Sequence, residues 1–302
     1  MSNSTKPPVV AIVGPTASGK TGLAIKLAQT FSGEVISADS RQVYRSLNIG
    51  TAKITPDEMQ GVPHHLLNVA SLPEVYTAND FTHDATAAIT AITKRDHLPI
   101  IAGGTFFYLD LLFKKTTAAP VAPNQQLRDE LNSLDTTVLF TRLQKVDPER
   151  AKTIDSQNPR RLIRALEIAT ALGKNPPKII SENPYRTLIL GIDRDREELR
   201  ARFTTRAHEW LEGGLVAETQ RLLDNGITRE RIQELGFEYV LVLQLIDGTL
   251  TTSEWCDKFI EKNWQYAKRQ RTWLQRDKDI IWIDPHHADT AITAVESFLS
   301  AK

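Results

Sequence analysis

Apolar residues in the first third of the chain come in short unbroken runs. "VVAIVG" (9–14), "EVISADS" (34–40) and "LPIIAGG" (98–104) are brief and rich in aliphatic, largely β-branched residues. Such runs are the pattern of strands buried on both faces. The stretches between them have a helical character. One helix starts at the loop after the first run. A second starts at "TAND", where Thr77 and Asp80 form a capping-box-like pair, and runs to about Arg95. The apolar "TFFYLDLLF" follows the third run as a further helix. This alternation predicts an α/β fold, a parallel sheet with helices on both faces.

The pattern changes near residue 118. "TTAAPVAPNQQ" carries two prolines and reads as a linker. From Leu127 to Gly173 the periodicity is helical throughout. Its clearest segment is "NPRRLIRALEIATALG", with Asn158 as cap, Pro159 in the first turn and Gly173 at the end. Leu162, Ala165, Leu166 and Ala169 form its apolar face, while Arg160, Arg161 and Arg164 fall on another. "KNPPKIISENPY" reads as a second linker, after which "TLILGID" returns to strand pattern. The expected organisation is therefore a core of 1–118 and 187–302 with a helical insertion at 119–186. The remainder is mostly helical. "REELRARFTTRAHEWLEGG" ends at Gly213-Gly214, "SEWCDKFIEKNWQYAKRQRTWLQRD" is a long aromatic and basic helix, and "IIWID" is a late strand.

Composition narrows the classes. The only cysteine, Cys256, excludes an intramolecular disulfide and argues against a cysteine metal site. The pairs His64-His65 and His286-His287 have no evident third ligand, and adjacent side chains diverge, so packing or surface roles are expected. No apolar stretch approaches the ~18 residues of a membrane span, and "MSNSTKPP" has no apolar signal region, so a cytoplasmic location is expected. The 37 basic and 37 acidic residues cancel. That balance gives no pull towards obligate assembly, and a monomer is expected. Locally the balance breaks. Residues 142–206 hold 15 Lys/Arg against 9 Asp/Glu, and residues 258–278 hold 7 against 2, whereas residues 1–118 hold 10 against 9. A polyanionic partner larger than a nucleotide fits that asymmetry; solvated helix faces are the plainer account.

The chemistry is concentrated at the carboxyl ends of the strands, where open α/β sheets bind ligands. "GPTASGKT" matches G-x-x-x-x-G-K-[ST], a phosphate cradle. Gly14, Pro15, Thr16, Ala17, Ser18 and Gly19 would form the backbone cradle, Lys20 would reach a terminal phosphate, and the Thr21 hydroxyl would hold Mg²⁺. Asp39 and Ser40 follow the second strand. Asp39 there is either a turn residue or a well-sited general base. Gly103, Gly104 and Thr105 follow the third and offer donors to the same anion. A nucleotide hydrolase normally has a metal-holding Asp at the end of such a strand; here there is glycine, which leaves small kinases and non-phosphoryl chemistry. Arg206 shares a narrow helix wedge with Leu199, Phe203 and Trp210. A cation in an apolar stripe needs a partner, either a structural carboxylate or a bound anion.

Together, "GPTASGKT", "ISADSRQVYRSLNIGTAK", "PHHLL", "AGGTFFYLDLL" and "NPRRLIRALEI" resemble the bacterial tRNA dimethylallyltransferases, from about Val9 to Asp284. The resemblance implies a P-loop core with a helical insertion. It implies transfer of a dimethylallyl group from its diphosphate to the exocyclic amine of the adenosine 3′ to the anticodon. The loop would then cradle a leaving diphosphate with Mg²⁺, and carbon would be the group transferred. Asp39 corresponds to the family's general base, and Thr105 and Arg206 to its hydroxyl and arginine at the diphosphate. The segments matching its contacts to the tRNA anticodon stem-loop are Asp39, Ser40, Arg41 and Gln42, with Thr105, and Arg160, Arg161, Leu162, Ile163 and Arg164. Lys268, Arg269 and Arg271 would grip further phosphates. Gly236-Phe237 stands where relatives usually show Gly-Tyr, and the zinc-finger extension of some eukaryotic relatives is not expected after Lys302. Two other enzymes remain open: one prenylating free AMP, and a small-metabolite kinase. A non-catalytic RNA-binding P-loop protein is a third alternative.

Overall fold

The computed structural model describes residues 6–176 and 181–301. The second expected linker therefore lies partly outside the described residues. In chain order the strands are β1 (Pro8–Val13), β2 (Gly33–Ser37), β3 (His64–His65), β4 (Leu98–Gly103), β5 (Arg186–Ile192) and β6 (Ile280–Ile283). They form one sheet of order β3-β2-β4-β1-β5-β6, and every pairing is parallel. Val10 lies opposite Ile100 of β4 on one side and Leu188 of β5 on the other. The apolar runs are continuous because both faces are covered. Val9, Ala11 and Val13 pack with Phe81, Ile89, Tyr108 and Leu112, whereas Val10 and Ile12 pack with Leu23, Leu27, Ala291 and Val295.

Four helices supply those layers: α1 (Lys20–Thr30), α2 (Ala78–Thr93), α3 (Phe106–Leu112) and, near the end of the chain, one at Ala288–Ser300. The capping box is present, with the Thr77 side chain accepting from Asp80 N–H and the Asp80 carboxylate accepting from Thr77 N–H. The chain leaves β1 for β2 across the position of β4. A crevice therefore opens at the carboxyl edge, beside β1.

The chain divides into two compact units, Met1–Phe113 with Asn183–Lys302, and Lys114–Glu182. The second contains α4 (Gln125–Asn132), α5 (Thr136–Val146), α6 (Pro148–Thr153) and α7 (Pro159–Leu172). α7 is built as its sequence predicts. The Asn158 side chain accepts from Arg161 N–H, Pro159 opens the helix, and Gly173 closes it at φ 80°. Leu162 and Leu166 meet Leu139 and Leu143 in this unit's core. The unit begins at Lys114, directly after α3 and Phe113, so the Pro-rich stretch expected to lead into it lies within it.

The first unit resumes with β5 and then α8 (Arg196–Glu212), α9 (Leu215–Asp224), α10 (Arg229–Leu235), α11 (Phe237–Ile246) and α12 (Thr252–Leu274); after β6 comes α13 (Ala288–Ser300). The aromatic residues of α12 hold these helices together. Trp255 stacks on Phe259 at 4.8 Å, and both pack with Tyr239 of α11.

At the amino end of the sheet, away from the crevice, Glu34 is buried. It accepts from Arg95 Nε (2.9 Å) and binds His65 Nε2 (2.6 Å) and His97 Nδ1 (2.8 Å). His65 thus serves as a polar partner of a buried carboxylate. Desolvation pushes the Glu34 pKa up, but Arg95, His65 and His97 together bring it down, from 4.5 to about 2. Because the folded pKa is depressed, this contribution to stability is complete above about pH 4.5 and is lost as pH falls towards 2. Glu34→Gln should therefore unfold at lower urea than wild type at pH 7. The gap should close as both are titrated from pH 5 to pH 2.5.

Candidate active site

The first two turns of the site follow from strand ends. After β1, residues 14–19 curl so that Ala17 and Gly19 adopt positive φ (61° and 104°), and α1 begins at Lys20. The N-terminus of α1 and the loop amides together favour an anion. Lys20 Nζ donates to the carbonyls of Gly14 (3.0 Å) and Pro15 (2.7 Å), which hold it across the loop. Its pKa falls to about 8, chiefly through burial; Arg206 pushes it the same way and Asp39 opposes. Thr21 is exposed at the mouth of the same cleft. Ser18 is buried, and its hydroxyl has no hydrogen-bond partner among the described residues.

After β2, Asp39 forms a tight turn. Its Oδ1 accepts from Arg41 N–H at 2.8 Å and from Gln42 N–H at 3.3 Å. The carboxylate is thus anchored through one oxygen, and the residue lines the cleft with Lys20. Gln42 is itself pinned. It accepts from the Ser37 hydroxyl and donates to the carbonyls of Thr51 and Ala52. Arg41 turns its guanidinium to Glu238 at 2.5 Å. Glu238 is 3% exposed and follows Phe237, whose ring packs towards Phe259. The Gly236-Phe237 departure therefore places an aromatic ring among the helices, and the next residue faces the cleft.

After β4 the backbone of Gly103 runs against Ala38, where a Cβ would collide with the Ala38 carbonyl. Glycine here is thus explained by close packing of β2 and β4. Thr105 Oγ1 accepts from Ser40 N–H at 3.1 Å, so this hydroxyl fixes the turn that carries Asp39.

Arg206 reaches the cleft from α8. Its Nη1 donates to the Thr16 hydroxyl at 3.1 Å, and its guanidinium lies 5.6 Å from the Trp210 ring centroid. Among the described residues no carboxylate is within ion-pair distance of it. Burial pulls its pKa down, with Glu209 and Glu238 opposing from further away. Of the two partners the sequence allowed, the structural carboxylate is thus not found. Three cations, Lys20, Arg41 and Arg206, and two carboxylates, Asp39 and Glu238, line this cleft. With Arg41 and Glu238 paired, Lys20 and Arg206 outnumber the remaining carboxylate, Asp39, and the surplus positive charge suits an anion.

Several residues that complete the cleft are not evident from motifs. Asn263, Tyr266 and Gln270 line it from α12, and Gly50, Thr51 and Ala52 form another wall. That wall is held by Glu218, which accepts from the N–H groups of Asn48 (2.9 Å), Ile49 (2.8 Å) and Gly50 (3.1 Å) and from Tyr239 Oη (2.9 Å). Arg194, after β5, supports the phosphate loop by donating to the Ser18 carbonyl at 2.7 Å, and pairs with Glu198.

In the helical unit, the arginine motif divides. Arg160 and Arg161 are exposed. Arg164 pairs with buried Glu167 and donates to the Val121 carbonyl at 2.8 Å. Glu167 also accepts from Arg128 and from Asn124 N–H, and these partners hold its pKa down against burial. Leu162 and Ile163 are buried in the unit's core, so their side chains are closed to a partner. The helix period turns them inward. On α12, Lys268 and Arg269 are exposed, whereas Arg271 pairs with Asp193 at 2.7 Å.

A family model described as IPP transferase matches residues 42–277. The chain belongs to this family. Relatives agree along nearly the whole length. The tRNA dimethylallyltransferase of Corynebacterium jeikeium is 36% identical, with 98% of each chain covered. That of Staphylococcus aureus is 38% identical over 93% of this chain and 94% of its own. Among solved structures, the tRNA isopentenylpyrophosphate transferase of Bacillus halodurans superposes with a TM-score of 0.71 at 34% identity, covering 98% of both chains. A eukaryotic dimethylallyltransferase acting on tRNA gives 0.81 at 30% identity, over 98% of this chain and 80% of that one.

Proposed function

We propose that this chain transfers a dimethylallyl group from dimethylallyl diphosphate to the exocyclic amine of the adenosine 3′ to the anticodon of tRNA. The observation that carries the mechanism is that Asp39, Lys20 and Arg206 line one cleft. The amine nitrogen attacks the first carbon of the prenyl chain. The carbon–oxygen bond to the diphosphate breaks, and its electron pair leaves with the diphosphate. The amine's surplus proton passes to Asp39. Lys20, Arg206 and the loop amides stabilise charge growing on the leaving group. Thr105 acts through the Ser40 turn that holds the base. The adenine must leave its stack to reach this depth, as enzymes acting on a base generally require.

Mg²⁺ fits this cleft as an ion carried by the diphosphate. No cluster of three or more His, Cys, Asp or Glu among the described residues could hold a metal. Mg²⁺ keeps several waters, however, and needs few protein oxygens beside a phosphate. The exposed Thr21 hydroxyl is the oxygen that would hold it. Bound there, the ion would neutralise part of the leaving-group charge.

Arg160 and Arg161 of α7, with Lys268 and Arg269 of α12, are the exposed cations that suit RNA phosphates. Replacing Arg160 and Arg161 together by Ala should weaken tRNA binding. It should also reduce the log–log salt slope by somewhat under one unit for each phosphate no longer neutralised. Arg164→Ala should act differently, destabilising the helical unit by uncovering Glu167. Filter binding at several salt concentrations, beside urea melts, separates the two.

An enzyme prenylating AMP and a small-metabolite kinase are the competing readings. Neither needs those exposed arginines. Labelled dimethylallyl diphosphate offered with unmodified tRNA or with AMP, and labelled ATP offered with small acceptors, tests all three. Label in tRNA alone is expected. Label in AMP, or transfer of phosphate from ATP, would refute the proposal.

A further inference from the structure

A buried amide joins the two halves of the cleft. Gln270 of α12 is 5% exposed. Its Oε1 accepts from Thr16 N–H at 2.8 Å, and its Nε2 donates to the Gly104 carbonyl at 3.3 Å. Thr16 belongs to the phosphate loop, and its hydroxyl takes the hydrogen bond from Arg206. Gly104 leads into Thr105. The Thr105 N–H donates to the Ala38 carbonyl at 3.2 Å, and Thr105 Oγ1 accepts from Ser40 N–H. Ser40 follows Asp39. A continuous path of hydrogen bonds and peptide links therefore runs from the cradle, through Gln270, to the base.

Space beside this amide is limited. A Cβ on Gly104 would lie 2.7 Å from Gln270 Nε2, closer than real Cβ contacts allow. The polarity of the bridge is equally specific. One end must accept from an N–H and the other must donate to a carbonyl, and a primary amide does both. Glu would keep the acceptor and lose the donor, while Leu would lose both.

Such a bridge matters to displacement at carbon. Nucleophile, carbon and leaving oxygen must stand in line, and an error of about 1 Å costs on the order of 10²-fold in rate. Here the cradle follows β1 and the base follows β2, with β4 between them in the sheet. We infer that Gln270 is a positioning residue that sets the separation between the diphosphate cradle and the base, through Thr16 on one side and Gly104-Thr105 on the other. The inference rests on the transfer reading above.

Single-turnover transfer at saturating substrates tests it, alongside circular dichroism and tRNA affinity. Gln270→Leu and Gln270→Ala should slow transfer by about 10–100-fold while tRNA affinity stays at the wild-type value. Gly104→Ala displaces the amide without altering Gln270, and should give a loss of the same order. The double variant Gly104→Ala/Gln270→Ala should be no slower than the worse single, because both act on one bridge. Wild-type rates in folded Gln270→Leu would overturn the inference, as would single losses that multiply in the double variant. Tenfold weaker tRNA binding with unchanged single-turnover rates would overturn it too. Wild-type protein inert under the same conditions would overturn the transfer reading, and this inference with it.

Discussion

Asp39→Asn is expected to slow single-turnover transfer by about 10²-fold or more while tRNA binding and folding stay near wild type. The structure makes this substitution a clean test. Oδ1 of Asp39 accepts from the N–H groups of Arg41 and Gln42, and an Asn oxygen can keep both bonds. The turn therefore survives, Ser40 stays on Thr105, and the pair Arg41–Glu238 is undisturbed. What the amide cannot do is accept the amine proton. A folded Asp39→Asn variant that turns over within threefold of wild type would remove Asp39 from the mechanism.

Arg206→Ala should also cost about 10²-fold in turnover, through lost stabilisation of the leaving group. Its effect on stability should be small. Arg206 has no ion-pair partner among the described residues, and it touches the Thr16 hydroxyl and the Trp210 ring. Were it neutralising a buried carboxylate, its loss would cost roughly 3–5 kcal/mol. Lysine should restore only part of the activity, because an ammonium cannot reproduce the guanidinium fork. Urea melts run beside single-turnover rates decide the matter. A large stability loss, with normal chemistry in the folded fraction, is the result that excludes a catalytic role.

Arg206 also illustrates what can be read from sequence. A cation at helical spacing among Leu199, Phe203 and Trp210 points inward because burial without purpose is costly. The strands are legible because parallel sheets covered on both faces need unbroken apolar runs. α7 is legible because Asn158, Pro159 and Gly173 each solve a local backbone problem. The same logic, applied to α12, flags Gln270. Trp255, Phe259, Asn263, Ala267, Gln270 and Leu274 recur at steps of four and three, and all are buried. Two amides within that stripe are polar groups requiring partners. Their identity is a different matter, since Thr16 lies 254 residues away. Glu238 is hidden for a like reason: nothing local to α11 distinguishes a buried carboxylate paired with Arg41 from a solvated one. The arginine motif of α7 shows the converse. Its residues do share one helix, but the helical period turns Leu162 and Ile163 inward and gives Arg164 to Glu167.

Transfer of carbon from the cradle to an amine is the central claim. Its most direct test follows both products in one turnover, using dimethylallyl diphosphate labelled in the prenyl chain and unmodified tRNA. One diphosphate should be released for each prenyl group that becomes fixed to RNA. Nucleoside analysis should find the label on the adenosine 3′ to the anticodon and nowhere else. Diphosphate release without RNA labelling, or label on another nucleoside, would contradict it.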